Sequence, residues 1–236
     1  MQDTQSNLVL VIANKNYSSW SLRPWILMRA LNIPFTEKLH AFGPSTGAPQ
    51  FENTTPSGLV PCLLDGDIVS WDSLGITEYL AERFPHVWPD DAVARNWARC
   101  ATAEMHSGFS NLRNICPMNC SVEVSLHSIP EGLTKDIKRL DSLWQEGLSK
   151  FKGPYLAGAK FSAVDAFFAP VAFRIKSYGL ILSEGSMGYV ERLLDLPDMQ
   201  AWKASAIEEP WVDAEHEHEC YLHGTLLSDL RQHKNS

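Results

Sequence analysis

A short, uninterrupted apolar run near the start of the chain, Leu8-Val-Leu-Val-Ile12, has the β-branched content and the unbroken hydrophobicity of a strand buried on both faces. Such a strand needs paired neighbours along its edges and helices covering the sheet, so it constrains what the following residues can build. The polar stretch Asn14-Lys-Asn-Tyr-Ser-Ser19 reads as a turn. Leu22, Trp25, Ile26, Arg29 and Ala30 then recur at helical spacing, with Pro24 accommodated in the first turn. Asn32 and Pro34 stop that helix, and Phe35 to Phe42 alternates as a second strand, parallel to the first.

A Gly-, Pro-, Ser- and Thr-rich loop from Gly43 to Pro56 leads to Leu59–Leu64 and Asp67–Trp71, apolar runs on either side of Asp65-Gly66 that predict a hairpin. Ser73 then caps a helix in which Ile76, Leu80 and Phe84 share a face, with Tyr79 alongside, ending before Pro85. The order βαβ followed by ββα is that of a thioredoxin-like α/β domain, placed at residues 6–86. Pro85 to Asp91 reads as a linker, and beyond it no convincing strand pattern appears. Helices are expected over about Ala92–Ile115, Glu131–Phe151, Ala163–Tyr178, Gly188–Leu194 and Met199–Ile207. The second domain, 92–225, is therefore expected to be all-α.

With 44% hydrophobic residues spread along 236, nearly the whole chain can bury a core without metal or disulfide staples. A net charge of −8 without clustered Lys and Arg argues against a nucleic-acid partner. The N-terminal Met-Gln-Asp-Thr-Gln-Ser-Asn lacks the positive region of a secretory signal, and Leu8–Ala13 is too short to span a bilayer, so a cytoplasmic protein with no membrane partner is expected. Five cysteines at irregular spacing suit a reducing compartment. Cys116-x-x-x-Cys120 and His216-x-His218-x-Cys220 lack paired C-x-x-C spacing. No metal is expected; they read as a helix-end thiol pair and a solvated acidic, His-rich loop.

Chemistry concentrates at three places. Tyr17-Ser-Ser-Trp-Ser21 sits where the first strand hands over to the first helix, and the N–H groups and dipole at that helix start favour negative charge. A thiolate brought there is stabilised further by a serine hydroxyl. The turn has no cysteine, so a reactive sulfur must come from a ligand; the alternative is that Ser18, Ser19 and Ser21 merely cap the helix. The second place is Pro56-Ser-Gly-Leu-Val-Pro61. A cis Val60–Pro61 bond presents the Val60 backbone to an added peptide strand, whereas a trans bond simply opens an edge strand. The third is Trp71-Asp-Ser-Leu-Gly-Ile-Thr-Glu. Helix-start N–H groups at Ser73 can hold a ligand carboxylate and Asp72 an ammonium, or the pair can be a helix cap.

In this order and spacing the three pieces resemble cytosolic glutathione transferases over nearly the whole chain. The resemblance implies that Ser18 or Ser19 hydrogen-bonds the glutathione thiolate, that Val60 with Pro61 pairs with the cysteinyl backbone, and that Asp72 with Ser73 holds the γ-glutamyl group. Phe161-Ser-Ala-Val-Asp165 looks like the family's capping box opening the central helix of the second domain, with Ser162 and Asp165 in structural roles. The turn Ser18-Ser-Trp-Ser-Leu-Arg23 is similar to the serine-type turn of zeta and theta-like classes. Zeta enzymes carry Ser-Ser-Cys-Ser-x-Arg and isomerise maleylacetoacetate; Trp20 stands here in place of the cysteine. Asp72 is a methylene shorter than the usual Glu or Gln.

A hydrophobic electrophile is expected between the domains, against Trp20, Met105, His106, Phe109 and Arg113, whose spacing from 105 onward can share a helix face. The implied protein is a detoxifying, homodimeric transferase with glutathione as cosubstrate. The alternatives are a glutathione-dependent isomerase and a non-catalytic binding module of the same fold.

Overall fold

The computed structural model describes residues 8–42, 51 and 55–231. Strand β1 (Leu8–Ile12) is an inner strand of a four-stranded sheet ordered β2-β1-β3-β4. It runs parallel to β2 (Thr36–Leu39) and antiparallel to β3 (Cys62–Asp65). Gly66, at φ +58°, turns the chain into β4 (Ile68–Ser70), as Asp65-Gly66 predicts. Helices α1 (Ser19–Ala30) and α2 (Ser73–Arg83) complete the thioredoxin-like order. The predicted loop 43–56 lies largely outside the described residues.

Helix α1 begins three residues before the first predicted apolar position. Pro24 therefore sits in the second turn, where it cannot donate to the Trp20 carbonyl. Nine of the twelve α1 residues are buried because the helix lies between the sheet and α6. The cap of α2 is Asp72 rather than Ser73. Its carboxylate accepts from Leu74 N at 2.9 Å, so Ser73 becomes the first helical residue and is fully buried.

After residues 85–91, of which Val87 and Trp88 are buried in the core rather than solvated as a linker, come α3 (Ala92–Ser107), α4 (Ser110–Ile115), β5 (Val122–Leu126), α5 (Glu131–Phe151), α6 (Ala163–Ser177), α7 (Glu184–Leu194), α8 (Pro197–Glu208), α9 (Ala214–Tyr221) and β6 (Gly224–Asp229). The expected helix over 92–115 is thus two helices. Gly108 ends α3 at a point where a Cβ would sit 2.7 Å from the Glu104 carbonyl oxygen, and Phe109, at φ +56°, redirects the chain. Helix α7 begins at Glu184, a turn before the predicted Gly188, and α8 extends at both ends with Pro197 in its first turn.

The expectation of no further strands is also corrected. β5 and β6 pair antiparallel, with Val122 opposite Asp229 and Leu126 opposite Gly224. Val122 and Val124 alternate inward with exposed neighbours, but five residues whose partner lies about a hundred residues on leave little local signal. The His-rich run is the helix α9 rather than a loop, with Asp213 accepting from His216 N at its start.

Helix α6 is the axis of the helical part: every residue but Lys176 is buried, as an all-round apolar helix requires. The Ser162–Asp165 capping box closes as expected. Asp165 does more than cap. Fully buried, its carboxylate accepts from Ser162 N at 3.0 Å, from Leu156 N at 3.0 Å and from the Tyr189 hydroxyl at 2.9 Å. Burial raises its pKa to about 6 against the opposing pull of those donors.

Candidate functional site

The turn between β1 and α1 is held from the helical side. Glu209, at the end of α8, accepts from Lys15 N at 2.6 Å; Trp202 Nε1 donates to the Lys15 carbonyl at 2.9 Å; and Asn16 Oδ1 accepts from Ser121 Oγ at 2.7 Å and Cys120 N at 3.1 Å. These contacts fix a cleft of about 400 Å³ whose walls include Ser18, Ser19 and Trp20 at the start of α1, Val60 before β3, Arg113 from α4, and Arg174 from α6. The cleft therefore opens on the positive end of a helix dipole.

The serines do not use their side chains as caps. Ser18 stands at the N-cap position of α1, yet its hydroxyl caps no helix N–H. It lies 2.7 Å from Ser21 Oγ, which also accepts from Ala13 N. Ser19 Oγ accepts from Arg174 Nη2 at 3.2 Å. Both serines are buried against protein and reach the cleft wall.

Three arginines gather around this turn. Arg23 and Arg113 carry their guanidinium carbons 3.9 Å and 4.8 Å from the Trp20 ring centre, close enough for cation–π attraction. Arg113 is anchored to the carbonyls of Met105, Gly108 and His106. Arg174 donates to the carbonyls of Cys116 and Arg113. None of the three forms an ion pair with a described carboxylate, and Nε of both Arg23 and Arg174 is buried without a partner among the described residues. Burial, followed by mutual repulsion, lowers the pKa of Arg23, and that of Arg174 to about 10. Guanidinium stays protonated in proteins, so these shifts mark positive charge in want of an anion.

Val60–Pro61 is cis, as is Trp71–Asp72. Val60 lines the cleft, and no described residue hydrogen-bonds its N–H or C=O. Asp72 and Ser73 do not line it. Asp72 faces His106 Nε2 at 3.3 Å, and Ser73 turns its hydroxyl inward to accept from Arg23 at 3.4 Å. His106 has a pKa below 6.5, first because it is half-buried and then because Arg23 and Arg113 oppose its protonation, with Asp72 pulling the other way. Of the residues expected around an electrophile, Trp20 and Arg113 line the cleft, and His106 meets Trp20 edge-on at 5.3 Å. Met105 and Phe109 are buried in the helical core instead. The break at Gly108 explains this, because residues 105 to 113 do not lie on one continuous helix.

Sequence reasoning missed Arg174 and the aromatic roof in which the His216 ring stacks on Tyr17 at 5.1 Å and on Phe42 at 4.7 Å. A lone arginine in the apolar run Ala163–Ile175 was the available signal for the first. Nothing local signals the second, since its members come from three distant segments. Among the described residues, no three His, Cys, Asp or Glu side chains converge as a metal site.

Fold and cleft define a thioredoxin-like domain with a cysteine-free serine turn, closed over by a helical domain. Residues 17–83 match the family described as glutathione S-transferase, N-terminal domain. The chain is 30% identical over 172 residues to glutathione S-transferase 1 of Dianthus caryophyllus, covering 70% of this chain and 76% of that protein. It is 26% identical over 157 residues to a stringent starvation protein A homologue of Haemophilus ducreyi, covering 66% and 69%. A Burkholderia glutathione transferase homologue, solved with bound glutathione, shares the fold at TM-score 0.66 and 20% identity, covering 86% of this chain and all of that one. The chain belongs to the glutathione S-transferase family.

Proposed function

We propose that this protein binds glutathione in the cleft beside Ser18, Ser19 and Val60, holds it as a thiolate, and directs the sulfur at an electrophilic carbon against Trp20 and Arg113. The observation that carries this reading is the pair of buried serines at the start of α1, facing a cleft whose arginines have no carboxylate partner among the described residues. A dipole end, a hydroxyl donor and nearby guanidinium groups each favour the anion over the thiol. Asp72 and Ser73 are assigned to the γ-glutamyl end, which requires Asp72 to exchange His106 for the ligand ammonium. Glutathione is the cosubstrate, in keeping with the bound glutathione of the Burkholderia homologue.

Ultraviolet titration of glutathione on the wild-type protein tests the reading. A thiolate band rising well below the free thiol's pKa of about 8.5 is expected. Glutathione that binds without such a shift refutes thiolate activation and favours a non-catalytic module of the same fold.

A second reading is favoured by the arginines themselves: Arg113 and Arg174 line the cleft and suit an acidic electrophile, as a maleylacetoacetate-type isomerase needs. Turnover of a cis-enone acid without net consumption of glutathione is its signature, and absence of turnover with thiolate present removes it. We place the protein in the cytoplasm as a homodimer. No helix among the described residues is long and apolar enough to cross a membrane, and exposed Ile68, Trp71 and Val93 offer apolar surface for a two-fold contact. Light scattering at the monomer mass would refute the dimer.

A further inference from the structure

Ser18 and Ser19 both reach the cleft, yet their hydroxyls are not equivalent. The Ser18–Ser21 contact at 2.7 Å joins two groups that can each donate or accept, so its direction is free to reverse. Ser19 has no such freedom. Its described side-chain partner, Arg174 Nη2 at 3.2 Å, is a guanidinium that donates and never accepts. The Ser19 oxygen must accept, and its single proton remains for another acceptor.

The guanidinium is itself firmly placed. It extends from α6, otherwise apolar across that stretch, and its other Nη binds the Cys116 and Arg113 carbonyls at the end of α4. Its Nε is buried without a described partner. Anchoring α4 accounts for the two carbonyl bonds but not for the third, which crosses from the helical part to the active-site turn.

We infer that Arg174 is a positioning residue: by donating to Ser19 Oγ it aims the Ser19 proton into the cleft, making Ser19 rather than Ser18 the donor to a bound thiolate. The inference rests on the glutathione reading above. In the step concerned, the S–H bond of glutathione ionises, its proton leaves to solvent, and the sulfur accepts the Ser19 O–H; no bond forms between sulfur and protein. Because Ser19 also accepts from a cation, its O–H is polarised and the bond to the anion strengthened.

The test is the pKa of protein-bound glutathione in wild type, Ser18→Ala, Ser19→Ala, Arg174→Lys, Arg174→Met and the Ser19→Ala/Arg174→Met double variant. S-methylglutathione, which has no ionisable thiol, reports whether the binding site survives. Ser19→Ala is expected to raise the bound-thiol pKa by about one unit, roughly a tenfold loss in the thiolate-to-thiol ratio, and Ser18→Ala by much less. Arg174→Met should match Ser19→Ala while S-methylglutathione affinity holds within about twofold, and the double variant should go no further than Ser19→Ala alone. Arg174→Lys, which keeps a charged donor, should recover part of the shift.

An unmoved pKa in Ser19→Ala overturns the inference. So does an Arg174→Met shift that is as large without Ser19 as with it, because the guanidinium then acts directly on the sulfur. If Arg174→Met does not fold, the comparison of Ser19→Ala with Ser18→Ala still decides, since both keep the α4 anchor. Wild-type protein that fails to lower the thiol pKa refutes the parent reading, an outcome seen before any variant is made.

Discussion

Replacing Asp165 with alanine should unfold the protein more readily while leaving the cleft chemistry of the remaining folded molecules intact. The carboxylate is buried and accepts from Leu156 N, Ser162 N and the Tyr189 hydroxyl, all within 3.0 Å. Alanine strands three buried donors, each at a cost of about 1–3 kcal/mol. Partial relaxation and entry of water bring the sum to about 4 kcal/mol, a large part of the roughly 5–15 kcal/mol available to a folded domain. In urea, with a slope of about 2–3 kcal/mol per molar, the midpoint should fall by roughly 1.5 M.

Asp91→Ala is the internal control. Asp91 caps α3 by accepting from Val93 N and Ala94 N on the surface, and its loss should cost only about 1 kcal/mol. There is a pH signature as well. Burial lifts the Asp165 pKa to about 6, above its unfolded value near 3.8, so between those values the folded state holds a proton that the unfolded state has released. The contribution of this group to stability is complete below about pH 4 and is lost as pH rises toward 6; Asp165→Asn should flatten that slope. An Asp165→Ala loss no greater than that of Asp91→Ala would refute the reasoning, since the three donors would then not depend on the carboxylate.

Two further outcomes follow from burial and charge. Of five free cysteines only Cys100 is exposed, so a thiol reagent should label one site in native protein and five in urea; rapid labelling of a second native thiol would contradict the packing. Arg231 donates to both oxygens of Glu217 and to the Tyr17 hydroxyl, which ties α9 and its His216 to the turn. Burial works to raise the Glu217 pKa, but the bonds from Arg231, Tyr17 and Tyr221 outweigh it and hold the carboxyl below 4.5. Its contribution is present above that value and is lost as pH falls through the folded pKa. Arg231→Met should cost about 3 kcal/mol, read as faster hydrogen exchange across α9, and unchanged exchange there would show that the roof is held by other contacts.

The thioredoxin-like order was legible because each of its signals is local: the two-sided strand at Leu8, the stop at Asn32 and Pro34, the Asp65-Gly66 turn, and the apolar face of α2. The serine turn was legible for the same reason, since its place between strand and helix defines its electrostatics whatever surrounds it. The capping box at Ser162 was equally plain, although neither Leu156 nor Tyr189 could be read as its partner. Some local signals misled. Residues 105 to 113 have helical spacing but are parted by a left-handed Phe109, and Asp72 displaced Ser73 as the cap because its carboxylate reaches Leu74 N.

By itself, then, the sequence determined the topology of the first domain, the helical character of the second, and a serine turn without cysteine where the first strand meets the first helix. Only the tertiary structure decided which groups meet that turn. Arg174 reaches Ser19 across 155 positions and Glu217 reaches Tyr17 across 200, while β5 finds β6 through a register that no local pattern encodes. Hydrogen bonds and ion pairs act over a few ångströms in space, whereas sequence periodicity reports only on neighbours within a turn or a strand.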